Sequence, residues 1–457
     1  NYTAQWRLGE TEYRYSAEGA QAIFTGFESL LGGSASDTFS FVGEVIFAGN
    51  IAGGLGSDSL DYSGYGSAVT LNLQLETATA IQGKFSGIEN LMGSSEQDRI
   101  TGLSSGSVFA IDKPESGIVD GWFSFREIEE IAGSEAQDTL DYRSFEQGVT
   151  FTLIGIDAWG GFDVRETVSG ITFYSINNII GSNASDRLEG MENYSVWKVT
   201  GDKSGSYQTE SEILTFSLID ILFGKGAKDT LTYIDYASEV SVKLDEVGTL
   251  DGWGGSGSGS ITFDNMNVVE GSGINDASDT LTGADQDAQW FFADIYTYVA
   301  SDRILTFSDF EKLTGGSKDD AFIFYEDSLF QGDIDGGAGT GNDELNYASC
   351  SRNLEINISY IGSVDGVKGT ASGLTGIFDN INVLTGGSGT DKLTGADIDA
   401  IFELDGSDRY FDPASGQELS FTGMEVLVGG GLNDTFRIMV SQTYDLFGGA
   451  GDDVFTF

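Results

Sequence analysis

Short runs in which apolar and polar residues alternate recur along the whole chain, each closed by glycine. Val69-Thr70-Leu71-Asn72-Leu73, Val149-Thr150-Phe151-Thr152-Leu153, Val240-Ser241-Val242-Lys243-Leu244 and Leu354-Glu355-Ile356-Asn357-Ile358 are four of them. A period of two puts every second side chain on one face, so each run predicts a half-buried strand. A second pattern, Phe-x-x-Ile-x-x-Ile/Leu, follows at Phe85–Leu91 and Phe378–Leu384. No segment keeps a 3.6-residue spacing over three turns. The prediction is an all-β chain.

The strands are punctuated by a turn of the form Gly-Gly/Ser-x-x-x-Asp-x-Leu/Phe. Its aspartates are Asp37, Asp58, Asp98, Asp138, Asp186, Asp229, Asp279, Asp320, Asp343, Asp391, Asp434 and Asp453. Successive spacings are 21, 40, 40, 48, 43, 50, 41, 23, 48, 43 and 19 residues. They fall near one or two multiples of about 20 to 25, a period typical of repeat architectures. Turns ending in an aromatic (Leu60-Asp61-Tyr62, Leu140-Asp141-Tyr142, Leu231-Thr232-Tyr233, Leu345-Asn346-Tyr347) alternate with turns ending in glycine (Ile100-Thr101-Gly102, Leu188-Glu189-Gly190, Leu281-Thr282-Gly283, Leu393-Thr394-Gly395). Larger units result: a partial one at 1–62, then 63–142, 143–233, 234–347 and 348–457. A string of β-sandwiches would need proline-containing turns and long Greek-key connections. Without linkers, each short coil must bury its inner face on the next. The expected fold is therefore a right-handed parallel β-helix, a solenoid of about 20 coils of roughly 20–25 residues, continuous over 1–457.

Composition narrows the use of such a fold. Acidic residues number 72 against 22 basic, a formal charge of −50, and there is no histidine. Nucleic acid and anionic membrane surfaces are excluded as partners, because both demand clustered Lys and Arg. No apolar run approaches the roughly 20 residues needed to span a bilayer. Glycine stands at 65 and proline at two, with 31 Phe, 18 Tyr and 6 Trp. Aromatic abundance argues against disorder. The single Cys350 permits no internal disulfide and lies in a stretch suited to packing. A β-helical enzyme would place clustered carboxylates beside Lys, Arg or His where the repeat breaks. The acidic pairs Asp319-Asp320 and Asp452-Asp453 instead fall inside repeated turns. The expectation is a chain that is not an enzyme.

Two readings of the turn aspartates stay open. Each carboxylate can accept turn amides, closing an Asx-type turn. Alternatively, oxygen-rich glycine loops can cage Ca²⁺, which takes 6–8 oxygen ligands. Gly53-Gly54-Leu55-Gly56-Ser57-Asp58, Gly386-Gly387-Ser388-Gly389-Thr390-Asp391 and Gly448-Gly449-Ala450-Gly451-Asp452-Asp453 resemble the nonapeptides of the repeats-in-toxin family, and Gly336–Asp343 does so with an insertion. That resemblance implies candidate calcium ligands at Asp58, Asp343, Asp391, Asp452 and Asp453. No two matching nonapeptides are consecutive, and most turns lack a glycine, so the family's site does not transfer intact.

The wider pattern is similar to the β-strand-repeat regions of giant bacterial cell-surface and extracellular proteins. The resemblance implies a secreted structural segment, a rod or filament building block, with neighbouring copies or flanking repeats of the same protein as end-to-end partners. Neither end supplies a polar capping coil, so the 457 residues are expected to be an excerpt or one link of an assembly. A competing reading is an adhesin that binds glycans through exposed loops such as Ala158-Trp159-Gly160-Gly161 and Gly252-Trp253-Gly254-Gly255. Trp6, Trp197 and Trp290 occupy equivalent repeat positions and are expected to fill the core.

Overall fold

The computed structural model describes residues 2–274, 278–339, 341–439 and 442–457. It is all-β, with no helix and 48% of residues in strands, arranged in long, parallel-rich sheets. The chain divides into two compact units: Asn1–Trp197 with Asp202–Gly226, and Lys198–Gly201 with Ala227–Phe457.

In the first unit one sheet runs, neighbour to neighbour, through Ala20–Phe24, Tyr13–Ala17, Gln5–Gly9, Thr38–Val42, Ser59–Gly64, Asn90–Met92, Phe123–Arg126, Ser116–Val119, Val108–Lys113, Thr139–Asp141, Asn178–Ile180, Ile213–Ser217 and Ser204–Gln208. The second runs through Thr77–Ala78, Thr70–Asn72, Arg99–Thr101, Glu130–Ala132, Thr172–Ile176, Phe162–Glu166, Thr150–Ile156, Arg187–Glu189 and Ile221–Phe223. A small parallel sheet, Phe85–Ser86, Asn50–Ala52 and Ser29–Leu31, lies beside them in sequence. The second unit repeats the two-sheet plan. Asp320–Phe324, Glu344–Asn346 and Val383–Thr385 pair in parallel in one sheet, and Lys312–Thr314 pairs with Asp333–Asp335 in the other.

The sheets are not uniformly parallel, which differs from a simple stack of short coils. Gln5–Gly9, Tyr13–Ala17 and Ala20–Phe24 form an up-down-up antiparallel excursion whose first strand then pairs in parallel with Thr38–Val42. Similar three-strand excursions occupy 108–126, 150–176, 241–266, 288–308, 355–381 and 401–422. They account for much of the chain in the longer aspartate spacings. Spacings of 21, 23 and 19 residues arise where one first-sheet strand stacks directly on the next, as Thr38–Val42 does on Ser59–Gly64.

Alternation of aromatic and glycine endings marks the sheet that each strand joins. Strands ending near Tyr62, Tyr142 and Tyr347 belong to the first sheet; those before Gly102, Gly190 and Gly395 belong to the second. Packing gives the reason. A Cβ on Gly190 would lie 2.8 Å from the Trp197 ring and 3.0 Å from that of Tyr207. On Gly283 it would meet Trp290 at 2.9 Å and Tyr298 at 3.1 Å. Glycine therefore leaves room for the large aromatic of the following excursion. Trp197 and Trp290 are fully buried and Trp6 is partly so, which fits core filling.

Inward residues align in register into stacked files. Phe39, Leu60 and Leu91 are successive parallel partners, all buried. In the second unit the Phe292 and Phe324 rings stack at 4.6 Å, and Phe324 stacks on Tyr347 at 4.8 Å. Phe402, Phe436 and Phe455 form another file at 4.7 and 5.2 Å. Interiors this tightly packed respond strongly to loss of volume. Phe324→Ala is expected to lower unfolding free energy by about 3–5 kcal/mol, read as a lower urea midpoint. A loss below about 1 kcal/mol would mean the ring file carries little of the fold's stability.

Candidate functional site: the aspartate corners

The turn aspartates form the one chemically distinctive feature that recurs in both units. Asp58, Asp98, Asp138, Asp186, Asp229, Asp391 and Asp434 are fully buried, and Asp37, Asp279, Asp320 and Asp343 nearly so. Asp453 is half-buried and Asp452 exposed. Buried carboxylates are costly unless hydrogen-bonded. The corner supplies those bonds.

One oxygen, Oδ1, takes a backbone amide from 19–39 residues earlier in the chain. Ala4 N donates to Asp37 at 2.8 Å, Asp37 N to Asp58 at 2.6 Å, Val69 N to Asp98 at 2.6 Å, Ser107 N to Asp138 at 2.7 Å and Val149 N to Asp186 at 2.7 Å. In the second unit Val240 N reaches Asp279 at 2.8 Å, Asp320 N reaches Asp343 at 2.9 Å, Leu354 N reaches Asp391 at 2.9 Å and Asp434 N reaches Asp453 at 2.9 Å. The other oxygen closes the aspartate's own turn. Gly33 N donates to Asp37 Oδ2, Ser134 N to Asp138, Ser182 N to Asp186, Gly316 N to Asp320, Gly387 N to Asp391 and Gly430 N to Asp434, all at 2.6–2.8 Å.

A third contact ties the corner to a side chain 31–39 residues later. Asp98 N donates to Glu129 Oε2 at 2.7 Å, Asp138 N to Asn177 Oδ1 at 3.0 Å, Asp229 N to Asn267 Oδ1 at 2.9 Å and Asp391 N to Glu425 Oε2 at 2.9 Å. Glu89, Asp220, Glu311 and Asn382 do the same for Asp58, Asp186, Asp279 and Asp343. Sequence reasoning did not single out these acceptors. Their signal was present, since each follows an apolar residue and lies two before the next inward one, as in Ile88-Glu89-Asn90-Leu91 and Met424-Glu425-Val426-Leu427.

The candidate calcium positions separate. Asp391 has both oxygens engaged by amides. Asp343 and Asp453 each accept the amide of the preceding turn aspartate, and Asp452 donates its amide to Asn433 Oδ1 at 2.8 Å. At Asp58, Oδ2 is buried with no partner, because Gly54 and Gly56 take φ of 109° and 126° and no local amide closes the turn. The nonapeptide turns stack on glycine turns that precede them: Leu55 N donates to Gly33 O at 3.0 Å and Ala450 N to Gly430 O at 3.1 Å. Among the described residues no three Cys, Asp or Glu side chains converge in a way that could hold a metal ion. A carboxylate cage does not fit these corners; among the described corner aspartates only Asp58 has a buried oxygen without a partner.

Of the loops expected to be exposed, one is not. Trp159 is 52% exposed, but Trp253 is buried against Tyr298 at a ring distance of 5.0 Å. The side chain of Trp253 heads a second-sheet excursion strand and turns inward, so it cannot stack on an external ligand. Cys350 is buried, with Sγ 3.6 Å from Phe324 O.

No known family matches the chain, and no curated protein matches it. Among the described residues, no helix is long and apolar enough to cross a membrane.

Burial raises the pKa of many corner carboxyls, and the accepted amides oppose this only in part. Asp98, Asp138, Asp186 and Asp391 are shifted upward chiefly by desolvation. Desolvation, with neighbouring carboxylates adding to it, pushes Asp320 up to about 7, Asp343 up to about 8 and Asp434 up to about 6. The unfolded value is near 3.9, so the folded chain holds more protons across the intervening range. Stability from these groups is complete below about pH 4 and is lost as pH rises through 6 to 8. The urea midpoint is therefore expected to rise as pH is lowered from 8.5 to 5.5, and Asp343→Asn should flatten that slope. A midpoint that falls over this range would refute the assignment.

Proposed function

We propose that the chain is a structural segment of a secreted, acidic cell-surface or extracellular repeat protein, built as a right-handed parallel β-helix with antiparallel excursions. The observation that carries this reading is the recurrence of the buried carboxylate–amide corner from Asp37 to Asp434. Such a corner ties coil to coil and consumes the acid groups as hydrogen-bond acceptors, the use a scaffold makes of them. Extensive surface carboxylates would keep an exported chain soluble and self-repelling. Neighbouring repeats or copies of the same protein are the proposed end-to-end partners.

A second reading, an adhesin that binds glycans, is favoured by one observation. Trp159 and Trp122 stand 52% and 47% exposed on loops of excursions in the first unit. An exposed indole offers a flat apolar platform with little rotamer entropy to lose.

Of the candidate calcium positions Asp58 alone keeps a buried carboxylate oxygen without a partner, a single donor where Ca²⁺ takes 6–8 oxygens. The melting midpoint of the full chain is expected to be the same in excess chelator as in millimolar Ca²⁺. A site saturated at about 100 times its Kd would instead add about 2.7 kcal/mol. A chelator-induced fall that Asp58→Asn abolishes would assign the ion to that turn.

Single-molecule stretching tests the structural reading. A solenoid with nearest-neighbour stability should unravel in successive steps of about 20–50 residues, each releasing roughly 7–17 nm of chain. One all-or-none rupture would count against it. Antibody labelling of intact, unpermeabilised source cells tests export; label confined to permeabilised cells would overturn that part.

A further inference from the structure

The first excursion carries an unusual arrangement for so acidic a chain. Arg7 and Arg14 are direct cross-strand partners on the outer face of Gln5–Gly9 and Tyr13–Ala17, and Arg7 is also the parallel partner of Ser40. Arg14 is paired with Glu12 through Nε and Nη2. Arg7 is exposed and makes no hydrogen bond or ion pair among the described residues. Like charges facing each other across a strand pair are destabilising unless an anion lies between them.

An excursion in the second unit shows what completes such a row. There Phe402 and Tyr410 take the places of Trp6 and Tyr15, which puts Glu403 at the position of Arg7, Arg409 at that of Arg14 and Arg437 at that of Ser40. Glu403 lies between both guanidinium groups: Oε1 is 2.7 Å from Arg437 Nη1, and Oε2 accepts from Arg409 Nε at 2.7 Å. The first unit has two arginines in that row and no carboxylate between them. Around them Gln5, Ser16, Gln21 and Ser40 line a groove of about 630 Å³ whose apolar floor includes Ile23. Ser40 is already engaged as a donor to Asp61, leaving the amides of Gln5 and Gln21 and the hydroxyl of Ser16 as the free polar lining.

We propose that this groove binds an acidic oligosaccharide, with the carboxylate of a uronic acid held chiefly by the free guanidinium of Arg7, while Arg14, whose Nε and Nη2 are held by Glu12, adds its remaining N–H groups beside it. Guanidinium recognises a carboxylate in a planar, two-bond geometry. The side-chain amides and the Ser16 hydroxyl suit sugar hydroxyls, and a groove open along the sheet face accepts a linear chain. The site uses no residue of the Trp159 loop, so its failure and that of the glycan-binding reading there are distinguishable.

Trigalacturonate and a neutral trisaccharide are titrated calorimetrically into the full chain at low salt and at 0.15 M salt. The acidic trimer is expected to bind and the neutral one not, with weaker binding at higher salt because the contact is exposed. Arg7→Ala should weaken binding by about tenfold or more, and Arg7→Lys should recover only part of it. Arg165→Ala, outside the groove, should leave it unchanged. Unaltered binding by Arg7→Ala in a chain that melts like the parent overturns the proposal, as does equal binding of the neutral trimer or absence of binding at millimolar trigalacturonate. Triglutamate binding as tightly, with the same loss in Arg7→Ala, would overturn the saccharide assignment in favour of an acidic peptide.

Discussion

The structure depends on a hydrogen bond between a buried carboxylate and a backbone amide 19–39 residues earlier in the chain. Antiparallel hairpins carry their register in a tight local turn, but parallel strands have no such device. Here the aspartate supplies one. Its Oδ1 fixes the position of an earlier segment, its Oδ2 fixes the shape of its own turn, and its amide is fixed by a polar side chain from a later one. A bond to a charged acceptor is worth about 1.5–3 kcal/mol. Removing one partner inside the stack would also strand a buried group. The corner is thus both a spacer and a register lock, and its geometry recurs in each unit.

The same corner creates an electrostatic problem that the fold solves by position. In a chain of charge −50 the corners alone place eleven carboxylates out of water, some as near neighbours. Asp320 and Asp343 lie in consecutive stacked turns, one donating its amide to the other's carboxylate. Desolvation pushes both carboxyls upward, helped by Asp287 and Asp319 at Asp320 and by Asp320 and Asp365 at Asp343, until protonation becomes accessible near neutral pH. Turns closed by a Gly-Ser step avoid part of this cost, because the serine hydroxyl adds a donor, as Ser134 and Ser182 do for Asp138 and Asp186. Gly-Gly turns lack that donor. Their advantage is close approach, since a side chain at Gly337 or Gly449 would collide with a carbonyl of the preceding turn at 2.3 Å.

Much of the site was legible beforehand. The twelve aspartates, their glycines and the inward Leu or Phe two residues on are adjacent in sequence, so a single repeat displays them. Glu129, Asn177 and Glu425 were harder to read, because each serves an aspartate 31–39 residues earlier and any of Glu, Asp or Asn does the work. Acceptor chemistry was the signal, not residue identity. The Arg7–Arg14 row was also invisible as a feature, because the two arginines are separated by a turn and only antiparallel pairing makes them neighbours.

Local chemistry in the sequence determined the all-β character, the short period and the place of every corner, since alternation, glycine turns and Asp spacing act over fewer than ten residues. Tertiary structure decided which strands pair in parallel, because those partners lie about 20 to 45 residues away, and which double back as three-strand excursions, because a returning strand must also find a parallel neighbour in the sheet. It also decided that aromatic and glycine endings sort strands between two sheets, where one side chain occupies the volume the other leaves. Burial settled the role of Trp253, which its glycine-rich surroundings had suggested was a surface loop. The turn aspartates could be read as ligands or as clamps from sequence alone. At Asp391 the surroundings favour the clamp, because both carboxylate oxygens already hold backbone amides, one of them at 2.7 Å.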